Sequence, residues 1–311
     1  MTDLKEIASG LRFPEGPIAL PDGSILLTEI ERRTLSRVDR DGRVDVVADC
    51  GGGPNGAALG PDGRVYVTNN GGSFSYVEAD GMLFPIAHPQ ESWKGGSIQR
   101  VDLASGAVEV LYESCGGNPL RAPNDLVFDE HGGFYFTDYG ARHGRQLDIG
   151  GVYYARADGS AIHEVAFGLD SPNGIGLSPD GKRLYVAETP RARIFWWDVT
   201  GPGQIEGGNF VIEHRGNLLR GFADFRFFDS LAIDAEGWVC VATILEGGIT
   251  AVSPDGASVE HHPLPDPIVT NVCFGGADGR TAYATLSGTG KLVSFPWPRR
   301  GLRLAHHPAA G

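Results

Sequence analysis

One unit is written six times along this chain, and it decides most of what the chain can fold into. Each copy has a polar opener, an alternating apolar run, a Gly-bearing turn and a second alternating run. The copies are PEGPIALPDGSILLTE from Pro14, PNGAALGPDGRVYVTN from Pro54, PNDLVFDEHGGFYFTD from Pro123, PNGIGLSPDGKRLYVAE from Pro172, FDSLAIDAEGWVCVAT from Phe228 and TNVCFGGADGRTAYAT from Thr270. Alternation with a period of two marks a strand, and a tight turn between two such runs marks a hairpin. A second pair of alternating runs recurs between the copies: TLSRVDRDGRVDVVAD from Thr34, SIQRVDLASGAVEVLYE from Ser97 and GVYYARADGSAIHEVAF from Gly151. Weaker versions follow at 194–212, 248–261 and 291–305. An inner plus an outer hairpin makes a four-stranded sheet. Six such sheets predict an all-β fold: a six-bladed β-propeller of four-stranded antiparallel blades around a central channel, one domain over residues 1–311.

Uneven spacing of the copies predicts insertions at 71–96, 139–150 and 214–227. The first carries Phe74, Tyr76, Met82, Phe84 and Trp93, an aromatic content that reads as a lid rather than surface decoration. Residues near Leu4–Ala8 resemble the last strand of other blades and are expected to close the ring, with the C-terminal GLRLAHHP as competitor.

The 46 Gly and 20 Pro fall at regular intervals between apolar runs, so they read as turn punctuation and not as disorder. With 26 basic against 39 acidic residues the net charge is −13, which argues against a nucleic-acid partner. There is no apolar run of about 18 residues and so no membrane span. The start, MTDLKEIASG, lacks the basic and apolar regions of a signal peptide. Cys50, Cys115, Cys240 and Cys273 form no CxxC pair, and Cys240 and Cys273 sit in apolar runs as expected buried thiols. A reduced, cytoplasmic protein is expected, as a monomer or homodimer.

In a propeller the first strand of each blade lines the channel. The six residues that open those strands are Glu15, Asn55, Asn124, Asn173, Asp229 and Asn271. Two carboxylates among amides at an axis are costly to bury uncompensated. A hard divalent cation removes that cost and takes oxygen ligands of this kind. Glu15, Asn124, Asn173 and Asp229 are the candidate metal ligands. Simpler explanations exist for each alone: Asn-Gly at Asn55 and Asn173 is an ordinary turn signal, Asn124 suits a local cap, and Glu15 suits a solvated carboxylate. Their shared position in one repeat favours a common site. Arg121, three residues before Asn124, is a candidate for binding an anionic or hydroxylated substrate, or else for a surface ion pair. No GxSxG, HExxH, Walker or EF-hand loop is present.

At these residues the chain resembles the regucalcin/gluconolactonase-like (senescence marker protein/gluconolactonase/LRE) family of six-bladed propellers. FPEGP, the RxxND unit ending in Asn124-Asp125, SPNGIGLSPDGKRLYVAET and FDSLAIDAEG carry the resemblance. GGFYFTDYG followed by GGVYY is similar to the drug-responsive lactonases, and VAETPRARIFWWDVTGPGQI to diisopropyl fluorophosphatase. The resemblance implies a divalent metal, Ca2+ first with Zn2+, Mn2+ or Mg2+ as alternatives, held by Glu15, Asn124, Asn173 and Asp229. It implies supporting amides at Asn55 and Asn271 and a substrate-side Arg121, whose spacing to the Asn is one residue longer than in regucalcin-like members. The full Glu/Asn/Asn/Asp set argues against strictosidine synthase activity.

The expected function is a metal-dependent lactonase that hydrolyses a sugar-type or other small lactone, with the metal polarising the carbonyl. Asp229 is expected to orient or deprotonate the attacking water, and Asn55, Arg121 and Asn271 to bind substrate. The alternatives are phosphotriester or fluorophosphonate hydrolysis on the same metal, and a non-catalytic calcium-binding scaffold.

Overall fold

The structure is a computed structural model. It describes residues 3–86, 89 and 93–307, so part of the 71–96 insertion lies outside the described residues. Six antiparallel sheets succeed one another along the chain. Blade 1 is Pro14–Ala19, Ile25–Glu29, Thr34–Val38 and Val44–Asp49. Blade 2 is Pro54–Leu59, Val65–Asn69, Ser97–Val101 and Val108–Tyr112. Blade 3 is Pro123–Phe128, Gly133–Asp138, Gly150–Arg156 and Ile162–Leu169. Blade 4 begins Pro172–Leu177, Arg183–Glu188 and Arg193–Gly201, and this long third strand pairs with both Gln204–Glu206 and Asn217–Gly221. Blade 5 is Phe227–Ile233, Val239–Ile244, Gly248–Val252 and Val259–Pro263. The six-bladed propeller read from the repeat is the fold observed.

Blade 6 closes the ring. Val269–Gly275, Thr281–Leu286 and Lys291–Pro296 are completed by Lys5–Ala8 from the N-terminus, with Lys5 opposite Ser294. The 291–305 segment was expected to be a strand pair, but only its first half is a strand, because the N-terminal strand already occupies that edge. Beyond Trp297 the chain crosses the channel mouth opposite the openers. Leu302 N–H donates to the Ile233 carbonyl at 3.2 Å, and the His306 ring lies 5.4 Å from Phe128.

The burial pattern follows from blade stacking. Second strands such as Ile25–Glu29 and Val65–Asn69 are buried on both faces, whereas the outer strand Val44–Asp49 alternates toward solvent. The core lies between blades: Ile18, Leu26 and Leu35 of blade 1 pack against Leu59, Val65 and Val67 of blade 2. Blades 3 and 4 share Tyr135, Val152, Leu184 and Trp197 in the same way. All four cysteines are free thiols. Cys50 and Cys240 are buried, but Cys273, expected to be buried, is only half so.

Threonines at the ends of the second strands of blades 1, 2 and 3 fix each of these blades to the next. Thr137 Oγ1 donates to the Asn173 carbonyl at 2.7 Å, and Thr28 and Thr68 do the same to Asn55 and Asn124. Between blades 6 and 1 the bond comes from Ser287 Oγ to Pro14 O, at 2.6 Å. These hydroxyls hold the backbone of three openers, and of Pro14 next to a fourth, around the axis.

Candidate metal centre

The pairing of the inner strand with the second strand is broken at or beside the opener in all six blades. The register shifts between Glu15 and Ile18, Pro54 and Ala57, Pro123 and Leu126, Pro172 and Ile175, Phe228 and Leu231, and Val269 and Asn271. A bulge re-aims a side chain that an ideal ladder would point into a neighbouring sheet. In blades 1 and 4 the residue preceding the opener's proline is itself strained: Phe13 and Ser171 have φ of 56° and 54°. Gly56 and Gly174, which follow Asn55 and Asn173, lie inside strands and are not at turns. A Cβ on Gly174 would come within 2.4 Å of the Leu231 backbone nitrogen, so that glycine permits the close approach of neighbouring inner strands.

The bulges bring Glu15, Asn55, Asn124, Asn173 and Asp229 to the floor of one cavity of about 340 Å³. The Oδ1 atoms of Asn55, Asn124 and Asn173 are all buried and all lack a hydrogen-bond partner. Buried amide oxygens are almost always paired, so three orphans at one floor are unusual. Asn173 is oriented by its other end, where Nδ2 donates to Thr189 Oγ1 at 3.1 Å. On Glu15 two donors fall on one oxygen: Gly16 N–H at 2.9 Å and Asn271 Nδ2 at 2.7 Å both reach Oε2.

Among the described residues no cation lines this floor to compensate its charge. Burial pushes the Glu15 carboxyl well above its usual range, and the neighbouring Asp229 charge pushes it further. Asp229 is pushed up to about 7, mainly by burial, with the Asn173 amide opposing the shift and Asp125 adding repulsion. Among the described residues no three His, Cys, Asp or Glu side chains cluster in metal-binding fashion. The donor set here is two carboxylates and three amide oxygens. That is the chemistry of a hard divalent cation with oxygen ligands, not of a thiolate or imidazole site.

The remaining expected site residues lie elsewhere. Asn271 does not face the cavity. Nδ2 is spent on Glu15, and Oδ1 accepts from Val272 N–H at 2.7 Å. Arg121 is outside the lining as well. It pairs with Asp148 at 2.8 Å and stacks over Trp93 at 4.4 Å from the ring centroid, while Trp93 lies 5.2 Å from His143. Arg121 thus joins the first insertion to the second.

Those insertions form part of the cavity wall. The first folds into the hairpin Ser75–Ala79 and Met82–Ile86, anchored by Leu83 N–H to the Gly288 carbonyl at 2.8 Å. Phe74 meets Tyr139 of the second insertion at 5.9 Å between ring centroids. Tyr76 and Tyr139 line the cavity, and neither was among the expected site residues. Tyr76 stood inside an aromatic insertion, and that composition was its only signal.

The fold and these axial residues define a six-bladed propeller with a polar centre at one channel mouth. The family model described as "SMP-30/Gluconolactonase/LRE-like region" matches residues 13–288, and the chain belongs to that family. It is 27% identical over 315 residues to a gluconolactonase of Zymomonas mobilis, across 92% of this chain and 79% of that protein. A lactonase drp35 of Staphylococcus saprophyticus is 28% identical over 190 residues, 61% of this chain and 55% of that one. Among solved structures, a calcium-binding regucalcin from Agrobacterium tumefaciens superposes with a TM-score of 0.77 at 16% identity, covering 99% of this chain and 98% of its own.

Proposed function

We propose that this protein is a lactonase dependent on a divalent cation, with Ca2+ as the first candidate. The observation that carries the reading is the convergence of Glu15, Asp229 and three unpartnered amide oxygens on one cavity floor. The lactonase names of the sequence relatives support the reaction class, and the calcium-binding regucalcin supports the cation. Glu15, Asn124, Asn173 and Asp229 are the proposed ligands. Asn55 presents a further free oxygen, to the cation or to a substrate donor.

A bound divalent cation supplies positive charge that polarises a carbonyl oxygen and stabilises the oxyanion formed from it. The chain's own residues do the rest. Asn173 is fixed by Thr189 so that its oxygen faces the cavity. Asn271 holds Glu15 in place and is a positioning residue. Asp229 is mostly buried with an open edge at the cavity, and its carboxylate orients the attacking water and accepts its proton. The aromatic wall limits access of bulk water. Arg121 is proposed to act on the site only by joining the two insertions that build this wall.

The test is a panel of lactones assayed with protein stripped of metal and then reloaded. Hydrolysis restored by reloading is the expected result. Turnover that is unchanged in protein shown by elemental analysis to be metal-free excludes the cation's role.

A further inference from the structure

The wall of the cavity differs chemically from its floor. Above the five openers it is lined by Phe13, Ile30, Phe84, Phe227, Ile244 and Ile268, among others, and among the described residues no Arg, Lys or His lines it. Three hydroxyls interrupt this surface. That of Thr189 is bonded to Asn173, and that of Tyr139 has the Ser171 and Thr189 hydroxyls beside it. The third, Tyr76 Oη, is buried and has no hydrogen-bond partner.

We propose that the Tyr76 hydroxyl is a substrate-contacting hydrogen-bond donor, and that the cavity it overlooks selects lactones with an apolar periphery over polyhydroxylated ones. The inference rests on the lactonase reading and names the substrate class for it.

The first argument is the position of Tyr76. Its ring lies 5.0 Å from that of Phe13, its backbone pairs with Pro85 across the hairpin, and the hairpin is anchored to blade 6 through Leu83. Tyr76 therefore cannot swing out to solvent cheaply. A buried hydroxyl without a partner is destabilising, and retaining it in a rigid setting points to a partner that arrives from outside. A phenol is protonated near neutral pH, so it offers a donor. The acceptor it suits is a lactone oxygen; the contact is a hydrogen bond, and no proton need leave Tyr76.

The second argument is subtraction. A sugar lactone carries several hydroxyls around its ring, and each must keep a partner when it leaves water. The floor serves the reacting carbonyl, and the Tyr76 hydroxyl serves one further oxygen. The Asn55 oxygen can take one more, and the Thr189 and Tyr139 hydroxyls already have polar neighbours; among the described lining the other hydroxyls would face Phe, Ile, Leu and Pro side chains. An alkyl or aryl substituent meets the same surface favourably, since a pocket of this size and lining gains from apolar contact. A wall with so few free hydrogen-bonding groups discriminates against a ligand that needs many of them.

The experiment compares δ-gluconolactone, δ-decalactone and 3,4-dihydrocoumarin as substrates with Ca2+ present. It also measures calorimetric binding of 3,4-dihydroquinolin-2-one, a lactam that resists hydrolysis. Both apolar lactones are expected to exceed gluconolactone in kcat/KM by about 10-fold or more. Tyr76→Phe is expected to lower kcat/KM for the apolar lactones by roughly 3- to 10-fold and to weaken lactam binding by a similar factor, the size of one neutral hydrogen bond. The same variant should raise Tm in the absence of ligand, since it removes an unpaired hydroxyl; a merely structural tyrosine would lower it. Gluconolactone turned over as well as the apolar lactones overturns the substrate class and leaves the lactonase reading standing. Unchanged lactam affinity in Tyr76→Phe overturns the role of the hydroxyl. Lactam binding weakened by Tyr76→Phe with no lactone hydrolysed supports the recognition proposed here and removes the lactonase reading. Absence of lactam binding overturns the inference whatever the turnover.

Discussion

Asn271 Nδ2 donates a 2.7 Å hydrogen bond to Glu15 Oε2, joining the last blade to the first across the closure of the ring. The amide's own oxygen is held by Val272 N–H, so its donor has one direction to point. Glu15 is thereby left with its other oxygen for the cavity. Removing the amide should loosen a ligand without deleting it. Asn271→Ala is expected to weaken Ca2+ binding roughly 10- to 100-fold, the usual effect of a group that orients a metal ligand. Calorimetric titration of the metal-stripped protein measures it. Affinity equal to wild type would show that Glu15 needs no support from blade 6.

Ligands drawn from blades 1, 3, 4 and 5 tie the ring across its axis, so the cation should stabilise the whole domain. At a free Ca2+ concentration 100 times the Kd the gain is about 2.7 kcal/mol, or roughly 5 °C in Tm for a domain of this size. Differential scanning calorimetry of stripped and reloaded protein tests this. No shift at a concentration where calorimetry shows the site filled would place the cation outside the folded framework.

The inter-blade hydroxyls give a third prediction. Thr137 Oγ1 holds the Asn173 carbonyl at 2.7 Å, and both partners are buried. Thr137→Val keeps the shape and orphans the carbonyl, for an expected loss of about 1–3 kcal/mol by denaturant unfolding. Because the Asn173 side chain hangs from this peptide, Ca2+ affinity should fall in the same variant. A stability loss without any change in affinity would separate the latch from the site.

The blades were legible because alternation and turn residues are local properties. Glu15, Asn124, Asn173 and Asp229 were legible through one position shared by one repeat. What placed them could not be read: the bulges exist only in the pairing between strands, and the re-aimed side chains depend on them. Asn55 and Asn173 look like turn residues before glycine, yet their glycines lie within strands and serve close approach at the axis. The setting of Arg121 was hidden for a related reason. Its partners Trp93 and Asp148 come from two different insertions, each far from it in sequence. Tyr76 was legible only as one of several aromatics in the 71–96 insertion, because the pocket its hydroxyl faces is assembled from other blades.

Acid sensitivity should have a contribution far from the channel. His214 packs between Phe195 and Trp197, and its Nδ1 accepts from Gly216 N–H at 3.1 Å. Burial, with the Arg193 charge in support, holds its pKa down to about 4 from an ordinary 6.5. The folded state therefore keeps this ring neutral while the unfolded chain takes up a proton. The stability present above pH 6.5 is lost as pH falls from 6.5 toward 4, by at most about 3 kcal/mol. His214→Asn keeps an acceptor for Gly216 and should be less stable at pH 7, but with a flatter decline over that window. Urea midpoints between pH 4 and 8 decide it, and parallel declines in the two proteins would remove His214 from the account.

The last prediction separates two roles at the metal centre. Asp229 is proposed as ligand and as base, Asn173 as ligand alone. Asp229→Asn keeps an oxygen of similar size but removes a negative charge and the basic site. Asn173→Asp keeps the oxygen and adds a charge. Asp229→Asn is expected to bind Ca2+ only at raised concentration and, once filled, to remain about 10²-fold or more below wild type in kcat, the usual size of a general-base effect. Asn173→Asp is expected to bind at least as tightly and to retain measurable turnover. Occupancy and kinetics must come from the same samples, because a half-empty site imitates a lost base. Near wild-type kcat in fully loaded Asp229→Asn would leave Asp229 as a ligand only and move the search for the base to the rest of the cavity, where the described lining offers Glu15 as the one other carboxylate.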